Sequence, residues 1–135
     1  MQPKSIMIVD DSSLMRKLIG QIFSDDQQVD IAGEAQNGEE ALKMLRSLNP
    51  DLILLDIEMP KMDGLEFLRR AKLRSHAKIV IISSVASAGS ERAAKAVKLG
   101  ADAIISKPSG AVSLDIQKQC GEEIKQTVHK LLALE

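Results

Sequence analysis

Five residues of chemically active type stand at the ends of short apolar runs: Asp10 and Asp11 after residues 5–9, Asp56 after 52–55, Ser83 after 79–82 and Lys107 after 103–105. Carboxylates brought to about 4 Å repel by roughly 4 kcal/mol per pair at an effective dielectric near 20, so three together call for a proton or a cation. Oxygen ligands, few and beside open water, suit Mg²⁺, which keeps part of its hydration shell and completes it with phosphate oxygens. A carboxylate can also act as nucleophile and become an aspartyl phosphate. A lysine and a hydroxyl would then contact the phosphoryl oxygens, as expected where charge stabilisation dominates. Taken singly, each has an ordinary reading. Asp10-Asp11-Ser12-Ser13 caps a helix, Ser83-Ser84 makes a turn, and Lys107-Pro108 is a solvated exit from a strand. Asp56 fits packing least well, because four consecutive apolar residues, a strand buried on both faces, deliver it.

The elements that must position these residues follow from periodicity. Runs at 5–9, 29–35, 52–55, 79–82 and 103–105 are too short for helices and read as strands. Between them, Leu14, Met15, Leu18, Ile19 and Ile22 recur at helical spacing. A second helix opens at Asn37-Gly38, turns Ala41, Leu42 and Leu45 inward and stops at Asn49-Pro50; a third runs from about Gly64 to Arg74 with Leu65, Leu68 and Ala71 inward. A fourth ends at Leu99-Gly100. Ile116, Cys120, Ile124, Val128 and Leu131 mark one face of a last, long helix. Cys120 on that face is a packing thiol rather than a reactive one, and Gly121 marks a kink or a later start. Five strands alternating with five helices predict an α/β doubly wound parallel sheet. The flavodoxin-like order 2-1-3-4-5 suits this length on precedent, and it sets the ends of strands 1 and 3 side by side.

With 135 residues the chain holds one domain, 1–135, with a single core. Eighteen basic against nineteen acidic residues leave a net charge of −1, which gives no support to nucleic acid as a partner. No apolar run suggests a membrane span, and the start lacks the layout of a signal peptide, so a cytoplasmic protein is expected. One cysteine excludes an internal disulfide.

The joint pattern Val9-Asp10-Asp11-Ser12, Leu55-Asp56-Ile-Glu-Met-Pro60, Met62-Asp-Gly64, Ser83-Ser84 and Lys107-Pro108 resembles the receiver domain of two-component response regulators over essentially the whole chain. The resemblance implies that Asp56 is the phosphoacceptor for a histidine kinase. It implies Mg²⁺ held directly by Asp11 and Asp56, through water by Asp10, and by the backbone carbonyl of Glu58. Ser83 and Lys107 would hold the phosphoryl group, and the Lys107–Pro108 bond would be cis. Finer matches, Asp11-Ser-Ser-Leu-Met-Arg16 and Lys107-Pro-Ser-Gly-Ala-Val-Ser-Leu-Asp115 among them, resemble the receiver half of chemotaxis protein-glutamate methylesterases. The chain ends at Glu135 without a Gly-x-Ser-x-Gly elbow, so a receiver fragment or a freestanding relative, not itself an enzyme, is expected. Its partners would be a sensor kinase of chemotaxis type and an effector domain or output protein.

Two positions depart from the family pattern. Ile104 stands where receivers usually carry Tyr or Phe, and Ser83 where Thr is commoner. The stiff, hydroxyl-free Ile104 directs the expected read-out through the small-residue segment 85–90, pulled by Ser83, with Ile104 at most filling space. The alternative of another class is an aspartyl-phosphate phosphatase of haloacid-dehalogenase type. It needs a second Asp two residues after the nucleophile, where this chain has Glu58. A nucleotide-binding module lacks both glycine-rich signatures.

Overall fold

A computed structural model describes residues 2–57, 63–83, 91–106 and 121–134. Five strands, β1 (Lys4–Val9), β2 (Val29–Ala35), β3 (Leu52–Leu55), β4 (Lys78–Ser83) and β5 (Ala103–Ser106), form one parallel sheet in the order β2-β1-β3-β4-β5. Among the described residues the helices are α1 (Ser13–Ile22), α2 (Gly38–Leu48), α3 (Gly64–Arg74), α4 (Glu91–Lys98) and α5 (Gly121–Leu131). The expected doubly wound fold and strand order are therefore present.

Strand alternation divides the single core expected of the chain into two layers, one on each face of the sheet. Met7, Val9, Ile53, Leu55, Ile79 and Ile81 face one side and pack with residues of α2, α3 and α4. Ile6, Ile8, Leu52, Leu54, Val80 and Ile82 face the other and pack with α1 and α5. A strand covered on both faces has no polar side to keep, which is why residues 52–55 are continuously apolar and all buried. The inward residues named for α2 and α3 are at the core, joined by Phe67 at 0 % exposure. Leu14 is a correction: it falls in the helical repeat of α1 yet is 57 % exposed. It lies in the first turn, beyond the strip that Met15, Leu18 and Ile19 bury.

Helix ends follow local chemistry. The Ser12 hydroxyl accepts from the Met15 amide (3.2 Å), and the Asn37 side-chain oxygen from the Glu40 amide (2.8 Å). Asn49 closes α2 in the left-handed region (φ 44°), which Asn tolerates better than most residues. Ile116 and Cys120, with the packing role assigned to that thiol, lie outside the described residues.

Gly121, expected to mark a kink or a later start, is the first described residue of α5, and the far end of that helix is tied down. His129 Nε2 lies 2.6 Å from Asp26 Oδ2 in the turn between α1 and β2. Burial pushes the Asp26 carboxyl up, but hydrogen bonds from His129 and the Gln28 amide, with the nearby positive charges of His129 and Lys125, outweigh it and leave the pKa lowered. A depressed carboxylate contributes stability above its unfolded pKa, about 3.9, and loses it as pH falls through the folded value. Asp26→Asn is therefore expected to lower the melting temperature at pH 6. The gap should close on acidification below about pH 4. A gap unchanged from pH 6 to pH 3 in thermal scans would contradict the role of this carboxylate.

Candidate functional site

The site is a consequence of strand order. β1 pairs with β3 in a register that sets Val9 opposite Leu55, so the next residue on each, Asp10 and Asp56, emerges at the same edge. Main-chain bonds fix both: the Asp10 amide donates to Ala35 O (3.1 Å) and the Asp56 amide to Val9 O (2.9 Å). Carboxylate oxygens of Asp10, Asp11 and Asp56 all lie within 4.8 Å of one another. Asp10 and Asp56 are 2 % and 6 % exposed, whereas Asp11 faces solvent. At that separation each pair of charges repels by roughly 3 kcal/mol at an effective dielectric of 20. The donor set is hard oxygen, two carboxylates sunk and one at the rim. It fits a hydrated Mg²⁺ better than a soft, nitrogen- or sulfur-seeking metal.

Asp10 is already partly committed. Its Oδ1 accepts from the Ser12 amide (2.9 Å), a turn that also aims the capping Ser12 into α1. The carbonyl of Asp10 accepts from Arg16 Nη1 (2.6 Å), and Arg16 Nε sits 3.3 Å from Glu34 Oε1 on β2. The carbonyl after Asp56 is held in the same way. Ile57 O accepts from Arg92 Nη2 (2.7 Å) and from the Gly64 amide (3.2 Å). Gly64 opens α3, where the Asp63 carboxylate caps by accepting from the Leu65 and Glu66 amides (2.9 and 3.1 Å). A Cβ on Gly64 would stand 2.2 Å from Ile57 Cα and 2.5 Å from Asp56 O. The absent side chain lets α3 start against the acidic segment.

Three of the expected site residues are thus brought together: Asp10, Asp11 and Asp56. Ser83 ends β4, opposite Ser106 of β5, and its side chain lies outside the described residues, as do Glu58, Lys107, the Lys107–Pro108 bond and segment 85–90. Ile104 is half-buried on β5 and lines, with Ala93 and Val97 of α4, an open groove of about 580 Å³. Arg16 and Arg92 were not singled out from sequence. The available signal was a cation early in a helix, where the dipole disfavours it.

The sequence pattern of the response regulator receiver domain family matches residues 6–117. A protein-glutamate methylesterase/protein-glutamine glutaminase of Syntrophomonas wolfei is 44 % identical over 93 % of this chain. That alignment covers 36 % of the relative, so the chain spans about a third of its length. The response regulator domain of Thermotoga maritima CheB superimposes with a TM-score of 0.90 at 28 % identity, covering 98 % of both chains. A structure of the P1 domain of CheA3 in complex with CheY6 from R. sphaeroides gives a TM-score of 0.79 at 47 % identity, over 98 % of this chain and 99 % of that one. Fold, strand-end acids and sequence agree, and this chain belongs to the response regulator receiver domain family.

Proposed function

We propose that residues 1–135 form one receiver domain that accepts a phosphoryl group on Asp56 from the phosphohistidine of a sensor kinase. The observation that carries this reading is the cluster of three carboxylates within 4.8 Å, two of them almost fully buried, at the joined ends of β1 and β3. An Asp56 oxygen attacks phosphorus, the phosphorus–nitrogen bond breaks, and its electron pair returns to the imidazole of the kinase. Asp11 and Asp56, the carbonyl of Glu58 and, through water, Asp10 would hold Mg²⁺. When bound, the ion offsets the charge of the carboxylates and of the phosphoryl oxygens. Ser83 and Lys107 take the remaining phosphoryl oxygens as hydroxyl and ammonium donors.

The acylphosphate then biases a two-state equilibrium by no more than its differential interaction with the two states. Ser83 would move toward the phosphoryl group and draw segment 85–90, with Ile104 filling the space behind it. The methylesterase and CheA–CheY names of similar proteins support chemotaxis as the setting. They also support a CheA-like kinase as donor, and a methylesterase domain or a separate output protein as target. On this reading the chain by itself is a switch without esterase activity.

Acetyl phosphate tests the reading, because it supplies the phosphoryl group without a kinase. Intact mass is expected to rise by one phosphoryl group with Mg²⁺ present and not in excess chelator. No mass change under either condition overturns the reading. Calorimetry tests the ligand roles separately. Asp11→Ala should weaken Mg²⁺ binding by more than about 100-fold, and Asp10→Ala by about tenfold, the scale of an outer-sphere partner. Equal affinities in the two variants and the parent would refute the metal site.

A further inference from the structure

We propose that Arg92 is a positioning residue that locks the first turn of α4 to the carbonyl of Ile57, the residue after Asp56. The inference rests on the reading of Asp56 as phosphoacceptor and adds to it a named link from that residue to a helix.

The guanidinium is not there to build the helix. Arg92 is the second residue of α4, and a cation in the first turn opposes the macrodipole. Its contact is long-range and specific: Nη2 donates at 2.7 Å to the carbonyl of Ile57, 35 residues away, and Ile57 is 0 % exposed. Charge-assisted bonds of this length are the strong ones. The same oxygen receives the Gly64 amide at 3.2 Å, so one carbonyl joins the end of β3 to the starts of both α3 and α4.

The plainer account makes Arg92 a surface partner of Asp63. That pair is 3.9 Å apart, the Asp63 side chain is 47 % exposed, and its other oxygen is engaged in capping α3. Such a pair contributes little. Arg92 Nε, moreover, is buried and meets no hydrogen-bond partner among the described residues. A guanidinium free to satisfy its own donors would not settle that way. Its pose is dictated by reach to Ile57 O.

The consequence concerns the read-out. Ile104, at the position where an aromatic would serve, has no polar group with which to exchange bonds. The Arg92–Ile57 bond supplies a polar tie instead. Any shift of the Ile57 carbonyl when the neighbouring Asp56 carries a phosphoryl group pulls on the first turn of α4.

The test uses the whole chain with Mg²⁺ and beryllofluoride, an analogue of the bound phosphoryl group, followed by amide NMR. In the parent protein both the Gly64 amide and those of residues 91–94 should shift, and so should the Arg92 guanidinium ¹⁵N signals. In Arg92→Gln, checked for folding by thermal unfolding, the Gly64 response should persist while that of residues 91–94 falls by at least half. Phosphorylation by acetyl phosphate should slow about tenfold, the scale of a small misplacement at a reacting group. Arg92→Lys, which keeps the charge on a single donor nitrogen without the guanidinium fork, should recover part of both losses. A full response at residues 91–94 in Arg92→Gln overturns the proposal. Should that variant not fold, unmoved guanidinium signals in the parent protein overturn it equally. A parent protein that takes no phosphoryl group defeats the reading of Asp56 instead, so the two failures are distinguishable.

Discussion

Asp56→Asn is expected to abolish the phosphoryl-dependent mass increase entirely, while the chain stays folded. The amide keeps the size of the carboxylate and the main-chain bond from the Asp56 amide to Val9 O, but it loses the nucleophilic oxygen. No neighbour replaces it well. Asp10 is 2 % exposed with Oδ1 held by the Ser12 amide, and Asp11 stands on the solvent side of the cluster. The variant should also bind Mg²⁺ more weakly, since one of three charges within 4.8 Å is gone. The measurement is intact mass after acetyl phosphate and Mg²⁺. A phosphoryl group still carried by Asp56→Asn would move the acceptor to another residue and sink the assignment.

Gly64→Ala carries the largest expected cost to stability. The added methyl would meet Ile57 Cα at 2.2 Å and Asp56 O at 2.5 Å, and neither backbone atom can rotate away. Overpacking against mobile side chains costs about 1–3 kcal/mol; against fixed backbone the upper end, about 3 kcal/mol, is the expectation. For a domain of this size that lowers the melting temperature by roughly 10 °C. Relief by displacing α3 would disturb the carbonyl shared by Gly64 and Arg92, so phosphorylation should fall as well. Gly20→Ala is the control. Gly20 lies inside α1 with no atom of the described residues outside the helix within 4 Å of the added methyl, so the same substitution should stabilise by about 0.5–1 kcal/mol. Like signs for the two substitutions in thermal unfolding would contradict this account.

Much of the molecule is legible in the sequence alone. Apolar runs and helical spacing report burial, which is local and periodic, so the strands at 29–35 and 52–55 and the helix from Gly64 to Arg74 have the bounds expected of them. Caps are equally local: Asn37 starts α2 and Asn49 ends it through bonds to residues three or four away. The acids at the strand ends are visible for the same reason. A carboxylate directly after Leu52–Leu55 contradicts the packing that those four residues require.

What the sequence could not decide is anything that depends on which elements become neighbours. Asp10 and Asp56 meet only because β3, and not β4 or β5, lies against β1, with Val9 opposite Leu55. Periodicity carries no information on that choice, and precedent for the strand order stood in for it. Leu14 belongs to the apolar repeat of α1 but misses the sheet, since a helix's repeat does not say where its covered strip ends. The bonds from Arg92 to Ile57 and from His129 to Asp26 span 35 and 103 residues. A charged side chain can satisfy itself in water almost anywhere along a chain. Only the packed fold, by bringing α4 against the end of β3 and α5 against the turn after α1, selects which carbonyl or carboxylate it meets.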